Sequence, residues 1–391
     1  MKMSMSLVAL PIVLTVACSG GTSNSSSNGS SATAPCAKAI AAGFNHTCAL
    51  TTAGGVRCWG DNSSGQLGDG TSANSRAAAS DTDVLTGVSA VAAGYLYTCA
   101  VMTTGGVRCW GDNYSGQLGD GTTTNNSTPP STDVLAGAQA LALAGGSEYT
   151  CALMTAGGVR CWGDNYNSAL GDGTTNSRFA PPDTDVLTGV QAIATGDSHA
   201  CALMTTGGVR CWGVNSSGQL GDGTGTYSEP TPPSSDVLAG VRAIAAGGSH
   251  TCALMIAGGV RCWGYNGWGQ LGDGTTTNRS TPPDTDVLTD VQAIAASKGH
   301  TCALTTTGGV RCWGQDDNGE LGDGTTNDRF APPIADVLTG AQAIAAGGVH
   351  TCALMTTGGV QCWGYNYGTL GGGNVGARVP TTPTPVTGIC Q

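Results

Sequence analysis

Charge and large aromatics are scarce in this 391-residue chain: 10% of residues are Asp, Glu, Lys or Arg, and three are Phe. Both shortages exclude long amphipathic helices, and 64 Gly residues argue instead for many short strands joined by tight turns. The expected class is all-β. A cationic surplus is also missing. The formal charge is −11, carried mainly by Asp in recurring loops, so the long-range field repels phosphate backbones and excludes nucleic acid as a partner. Glutamate is limited to Glu148, Glu229 and Glu320, far apart in sequence and without an evident partner. An active site needs a singular constellation, yet each polar candidate recurs along the chain, and the reading is a non-enzymatic protein without a cofactor.

What is abundant is repetition. The pattern Cys-Ala-Leu (once Val), three residues, Gly-Gly-Val, one residue, Cys-Trp-Gly occurs seven times, from Cys48–Gly60 to Cys352–Gly364. Trp59, Trp110, Trp162, Trp212, Trp263, Trp313 and Trp363 stand 50 to 52 positions apart, the signature of one repeated structural unit. Stacked units share a core, so residues 36–391 are expected to form one domain, a monomer. The repeated Trp sit at strand ends, as core or inter-unit packing residues do.

Fourteen of the 17 cysteines fall in pairs ten residues apart: Cys48 and Cys58, Cys99 and Cys109, Cys151 and Cys161, Cys201 and Cys211, Cys252 and Cys262, Cys302 and Cys312, Cys352 and Cys362. A three-residue hairpin loop at Thr52-Ala53-Gly54, with Gly54 left-handed, sets Leu50 opposite Val56 and Cys48 opposite Cys58. Opposed residues of an antiparallel pair lie within disulfide reach, so each hairpin is expected to be stapled to itself. Buried free thiols are the alternative. Zinc fits less well, for want of a C-x₂₋₄-C spacing or a close His, and no metal is expected. Cys36 and Cys390 flank the repeats, and their neighbours match overlapping parts of the segment that joins one unit to the next. A ring closed by its two ends through a Cys36–Cys390 bridge follows.

Within a unit, strands are expected at Val291–Ala295, Thr301–Leu304 and Val310–Trp313, with an outer extended segment ending near Asp336-Val337-Leu338. Four antiparallel strands per unit and seven units describe a seven-bladed β-propeller. The run Trp-Gly-x-Asn-x-x-Gly-Gln-Leu-Gly, as in Trp59–Gly68, following a Gly-x-x-His-Thr-Cys-Ala-Leu hairpin, resembles the regulator of chromosome condensation repeat family over residues 36–391. The family's founding member is a nuclear guanine-nucleotide exchange factor, and exported bacterial members include an inhibitor that clamps β-lactamases. The resemblance implies protein binding by a rigid ring. Exchange activity is not carried over, because the chain reads as exported and shows no insertion for an extra β-wing.

Residues 1–17 form an expected lipoprotein-type signal peptide, with an apolar run Leu7–Val16 too short to span a bilayer. Thr15-Val16-Ala17-Cys18 resembles a bacterial lipobox, which makes Cys18 the lipidated residue; ordinary secretion is the alternative. The Ser/Gly/Asn-rich stretch 18–35 is expected to tether the body to the outer membrane or surface of a Gram-negative cell, the lipid being its one membrane contact.

Strand alternation places the turns after the first and third strands of every unit on one side. Phe44, Tyr95, Tyr114, Tyr166, Tyr265, Trp268, Tyr365 and Tyr367 lie there and are the candidate binding residues, since loop aromatics give large contact area at low entropy cost. His46, His199, His250, His300 and His350 share one repeat position with Tyr97 and Tyr149, which suits a hydrogen-bonding turn role better than a metal ring. Asp69, Asp120, Asp172, Asp222, Asp273 and Asp323 are expected to cap turns rather than bind calcium, and to pair with Arg57, Arg108, Arg160, Arg210, Arg261 and Arg311. The chain thus reads as a surface lipoprotein that binds a protein partner. A glycan-binding lectin is the alternative, and a polysaccharide hydrolase or lyase is a more distant one.

Overall fold

The computed structural model describes residues 34–72, 75–143, 146–366, 368–372 and 380–391. The signal peptide, Cys18 and most of the tether lie outside the described residues, as does Tyr367. The described chain is all-β, without a helix, and forms seven separate sheets that follow one another in sequence. The first holds β1 (Ala37–Ala42), β2 (His46–Thr51) and β3 (Val56–Gly60), paired antiparallel in the order β1-β2-β3, and each later unit repeats the same three strands.

The hairpin register is the one the sequence predicts. Leu50 faces Val56 and Cys48 faces Cys58, while Gly54 takes φ +83°. All seven hairpin cysteine pairs have Cα atoms 4.1 Å apart with their sulfurs bonded. Cys36 and Cys390 pair likewise, at a Cα separation of 4.8 Å.

The expected fourth strand is largely absent as a strand. Only Ser228–Glu229 and Thr384–Pro385 extend a sheet to four, whereas elsewhere the outer segment touches it through isolated bridges such as Gly60 with Arg76 and Val56 with Leu85. The outer segment thus meets the third strand at separate points near its two ends rather than running along it.

Each core cluster lies between adjacent sheets. Leu50, Val56 and the Cys48–Cys58 pair of the first unit pack with Val88, Met102 and Trp110 of the second. All seven repeated Trp side chains are fully buried. Trp110 Nε1 and Thr98 Oγ1 both donate to the carbonyl of Gln66 in the preceding unit, at 3.0 and 2.9 Å. A Cβ on Gly68, which has φ +77°, would lie 2.6 Å from Trp110 Nε1, so the loop glycine is what lets the indole of the next unit approach. The first and last units meet in the same way: Trp59 Nε1 donates to the Thr369 carbonyl at 2.8 Å, and His350 Nε2 lies 2.7 Å from Thr47 Oγ1.

Two side-chain assignments change with the structure. Each histidine bridges to the next unit, as His46 Nε2 does to Thr98 Oγ1 at 2.9 Å and His250 Nε2 to Thr301 Oγ1 at 2.9 Å, while the expected turn role is met at His300, whose Nδ1 lies 2.6 Å from Ser297 Oγ. Because Thr98 donates its hydroxyl proton to Gln66, it accepts from His46, which places the histidine proton on Nε2. Burial pushes His46, His250, His300 and His350 down to about 3 and His199 to about 4, so all five are neutral at physiological pH. The arginines beside the cysteines do not reach the Leu-Gly-Asp-Gly loops. Arg57, Arg108, Arg160, Arg210, Arg261 and Arg311 pair with Asp83, Asp133, Asp185, Asp236, Asp286 and Asp336 of the outer segment. A second arginine set serves the loops: Arg76, Arg178, Arg279 and Arg329 pair with Asp69, Asp172, Asp273 and Asp323. The turn-capping role holds, with Asp69 Oδ1 accepting from Thr71 N and Oγ1.

Candidate binding face

In every unit one hydrogen bond joins the turn after the first strand to the turn after the third. Asp61 N donates to Asn45 O at 2.8 Å, Asp112 N to Leu96 O at 2.9 Å, Tyr265 N to Ser249 O at 2.8 Å and Gln315 N to Gly299 O at 3.0 Å. The inner turns also bond to one another: Phe44 N to Gly94 O, Gly348 N to Gly43 O, and Gly248 N to Ser297 O. A rigid scaffold therefore carries a two-tiered set of loops on one side.

The inner tier is where the copies diverge most. The position two residues before the His/Tyr site is Phe44, Tyr95, Ser147, Asp197, Gly248, Lys298 and Gly348 in the seven units. Phe44 and Tyr95 meet edge to face, with ring centroids 4.9 Å apart at 61°. Lys298 Nζ, from the sixth unit, lies 5.7 Å from the Phe44 ring centroid, a cation–π contact that passes over the seventh unit. Gly348 makes that reach feasible, since a Cβ there would stand 2.3 Å from Phe44 Cδ2. Burial raises the Asp197 carboxyl above the usual carboxylate range, while the positive charge of Lys298 acts against that rise. The inner turns thus bring an aromatic pair, one ammonium and one carboxyl into a single patch.

The outer tier is less unified. Tyr265 and Trp268 form an edge-to-face pair at 5.2 Å, both half-buried. Tyr114 and Tyr166 are 82% and 81% exposed and touch no other ring among the described residues. Tyr365 is half-buried. Four of the nominated aromatics therefore form two pairs, while Tyr114 and Tyr166 stand apart. Asp197 and Lys298 are not aromatic, yet they occupy the same turn position as Phe44 and Tyr95, which is the signal in the sequence that marks them.

The glutamates find partners after all: Ser115 Oγ donates to Glu148 at 2.7 Å, Thr226 Oγ1 to Glu229 at 3.0 Å and Asn318 Nδ2 to Glu320 at 2.8 Å. The sixth unit differs further. Asp316 replaces the Asn that in five other units accepts from the loop Leu N–H and donates to the loop Asp, as Asn62 does to Asp69 at 3.2 Å. Asp316 still accepts from Leu321 N at 2.9 Å, but burial, then the charges of Asp323 and Glu320, push its carboxyl up to about 7.

Comparison with known proteins agrees with this architecture. The RCC1-like domain pattern matches residues 134–391, and the regulator of chromosome condensation (RCC1) repeat patterns match 37–66, 88–117 and 104–153. The chain is similar to the Arabidopsis thaliana ultraviolet-B receptor UVR8, 31% identical over 243 residues, or 61% of this chain and 44% of the receptor. The probable human E3 ubiquitin-protein ligase HERC4 is 32% identical over 243 residues, 61% of this chain and 18% of the ligase. The chain therefore spans less than half the length of either relative. Human WBSCR16 shares the fold with a TM-score of 0.71 at 23% identity, covering 81% of this chain and 85% of that one. Yeast RCC1 (Prp20), solved bound to Kap60, shares it with a TM-score of 0.68 at 22% identity, covering 80% and 78%. The family pattern spans more than half of the chain and the repeats recur in register: the chain belongs to the RCC1-like domain family and is built as a β-propeller of its repeats.

Proposed function

We propose that this chain is an exported, lipid-anchored protein-binding propeller, a ring of seven blades closed by its two ends, whose partner docks on the face that carries Phe44, Tyr95, Asp197 and Lys298. The observation that carries the reading is the inner-turn position, where seven copies of one scaffold present Phe, Tyr, Ser, Asp, Gly, Lys and Gly. Residues that serve only the scaffold repeat; a docking surface has no reason to. Aromatic anchors next to fixed charges are the composition of interface hot spots. The contacts between first and last units and the Cys36–Cys390 pair support closure. Protein binding also fits the family, since yeast Prp20 has been solved with Kap60, and the work on Prp20p describes binding to Gsp1p and histones.

Export is supported by the cysteines, because eight disulfides form and persist in an oxidising compartment. Cys18 then serves as the lipid attachment site and the Ser-rich stretch as the tether. The binding role is non-enzymatic.

Photo-crosslinking from Tyr95 in the full-length chain, expressed in its host, tests the docking face. The same probe at Thr306, in a hairpin turn on the opposite side, is the control. A discrete protein adduct is expected from position 95 and not from 306, and equal or absent adducts at both sink the reading. Independently, Cys18→Ala is expected to abolish palmitate labelling and release the chain from the membrane.

A further inference from the structure

We propose that the loops of the fourth and fifth units form a separate binding pocket for a neutral oligosaccharide. A cavity of about 470 Å³ opens between them, lined among others by Asn215, Ser217, Thr226, Tyr227, Asn278 and Ser280. That volume lies within the usual range of small-molecule sites. None of its lining side chains is charged.

Three features coincide at this junction: a small side chain where two other junctions carry Phe, a loop aspartate without an arginine, and an added loop glycine. At two other junctions, Phe179 and Phe330 pack against the loop glycines Gly116 and Gly269, where a Cβ would lie 2.3 and 2.4 Å from their rings. The fourth-to-fifth junction has Ser280 in the same place, which leaves that volume unfilled. Glu229 bridges to Gly213 as Arg76, Arg178, Arg279 and Arg329 bridge to their own glycines, so Asp222 lacks the arginine partner that four sister loops have. The fourth loop also has Gly225 in a stretch where a Cβ would meet nothing within 4 Å. Tyr227, 67% exposed, stands at the edge of the opening.

The chemistry of the lining selects the ligand class. A tyrosine ring offers a face for the C–H side of a sugar ring, and the Ser, Thr and Asn groups match sugar hydroxyls in donor and acceptor count. Behind them, Thr224 Oγ1 donates to Asp222 at 2.9 Å and Thr226 Oγ1 to Glu229 at 3.0 Å, so two carboxylates without an arginine border the site. Acidic sugars and phosphates are repelled there. An apolar ligand would leave the polar lining unpaired.

The test is a titration of the full-length chain with maltotriose, cellotriose and chitotriose, and with trigalacturonate as the acidic control. At least one neutral trisaccharide is expected to bind, and trigalacturonate is not. Tyr227→Ala and Ser280→Phe are each expected to weaken binding by about tenfold or more. Ser280→Phe installs the side chain that two sister junctions already accommodate, and an unchanged melting transition confirms that it folds. Ile256→Ala, in an exposed hairpin turn on the opposite side, is expected to leave affinity unchanged. The proposal is overturned if no neutral trisaccharide binds at about 10 mM, if trigalacturonate binds equally, if both pocket variants retain affinity, or if Ile256→Ala abolishes it. None of these outcomes bears on protein docking at the inner turns, which keeps the two readings separable.

Discussion

The junctions between units and the loops above them are built from the same seven repeats, yet they follow opposite rules. At the junctions one set of side chains recurs: an indole fully buried, its N–H on the preceding unit's carbonyl, and in most units a threonine sharing that carbonyl. In the inner turns the same position changes from Phe44 to Asp197 to Lys298. A junction residue is constrained by two neighbours and by burial, so substitutions there cost stability. A turn residue meets solvent, and substitution costs little. The scaffold is therefore free to vary its surface chemistry unit by unit.

The sharpest way to break this contrast is Trp263→Ala. It deletes a buried indole and its bond to Gln219 O, and a loss of about 3–5 kcal/mol is expected in urea unfolding. A loss below about 1 kcal/mol would show that the junctions do not hold the array together. Next is the double replacement Cys252→Ala with Cys262→Ala, expected to cost about 2–3 kcal/mol through the freed unfolded chain, read from the melting transition under non-reducing conditions.

Asp316→Asn probes the sixth unit, where one loop residue breaks the junction-side pattern. With its folded pKa about 7 and its unfolded value in the ordinary carboxylate range, Asp316 binds its proton more tightly when folded. Its contribution is therefore most favourable at acid pH and is lost as pH rises through about 7. The Asn variant, restored to the repeat pattern, is expected to gain about 1–2 kcal/mol at pH 8 and to lose that pH dependence, as melting curves between pH 4 and 8 would show. The five buried histidines make both proteins more stable as pH rises toward about 6.5, so the readout is the difference between them: an advantage of the Asn variant that does not grow from pH 4 to 8 would contradict the assignment. The smallest effect is expected from Lys298→Ala, within about 0.5 kcal/mol of wild type in stability, while it weakens capture of the partner that crosslinks at Tyr95.

Much of the scaffold is legible in the chain. The ten-residue cysteine spacing and a glycine able to take positive φ set the hairpin register, since both ends of that contact lie in one short segment. The fourth strand is not legible there: the outer segment carries the expected apolar residues, but it touches the sheet only at isolated points such as Gly60 with Arg76 and Val56 with Leu85. Arginine partners differ from the expected ones because Arg57 has both Asp69 and Asp83 within its own unit, and only the path of the outer segment brings Asp83 rather than Asp69 to it. For the face, loop aromatics were visible as a class, but which of them meet was not.

By itself the sequence determined the repeat, the all-β class, the stapled hairpin and the junction tryptophans, because each rests on local spacing or on a pattern that recurs in register. Only the tertiary structure decided that Lys298 lies over Phe44 across an intervening unit, that the histidines bridge units, and that a pocket opens at Ser280. Those contacts join residues of different units, and how near two units bring their turns depends on packing between sheets, which no spacing along the chain records.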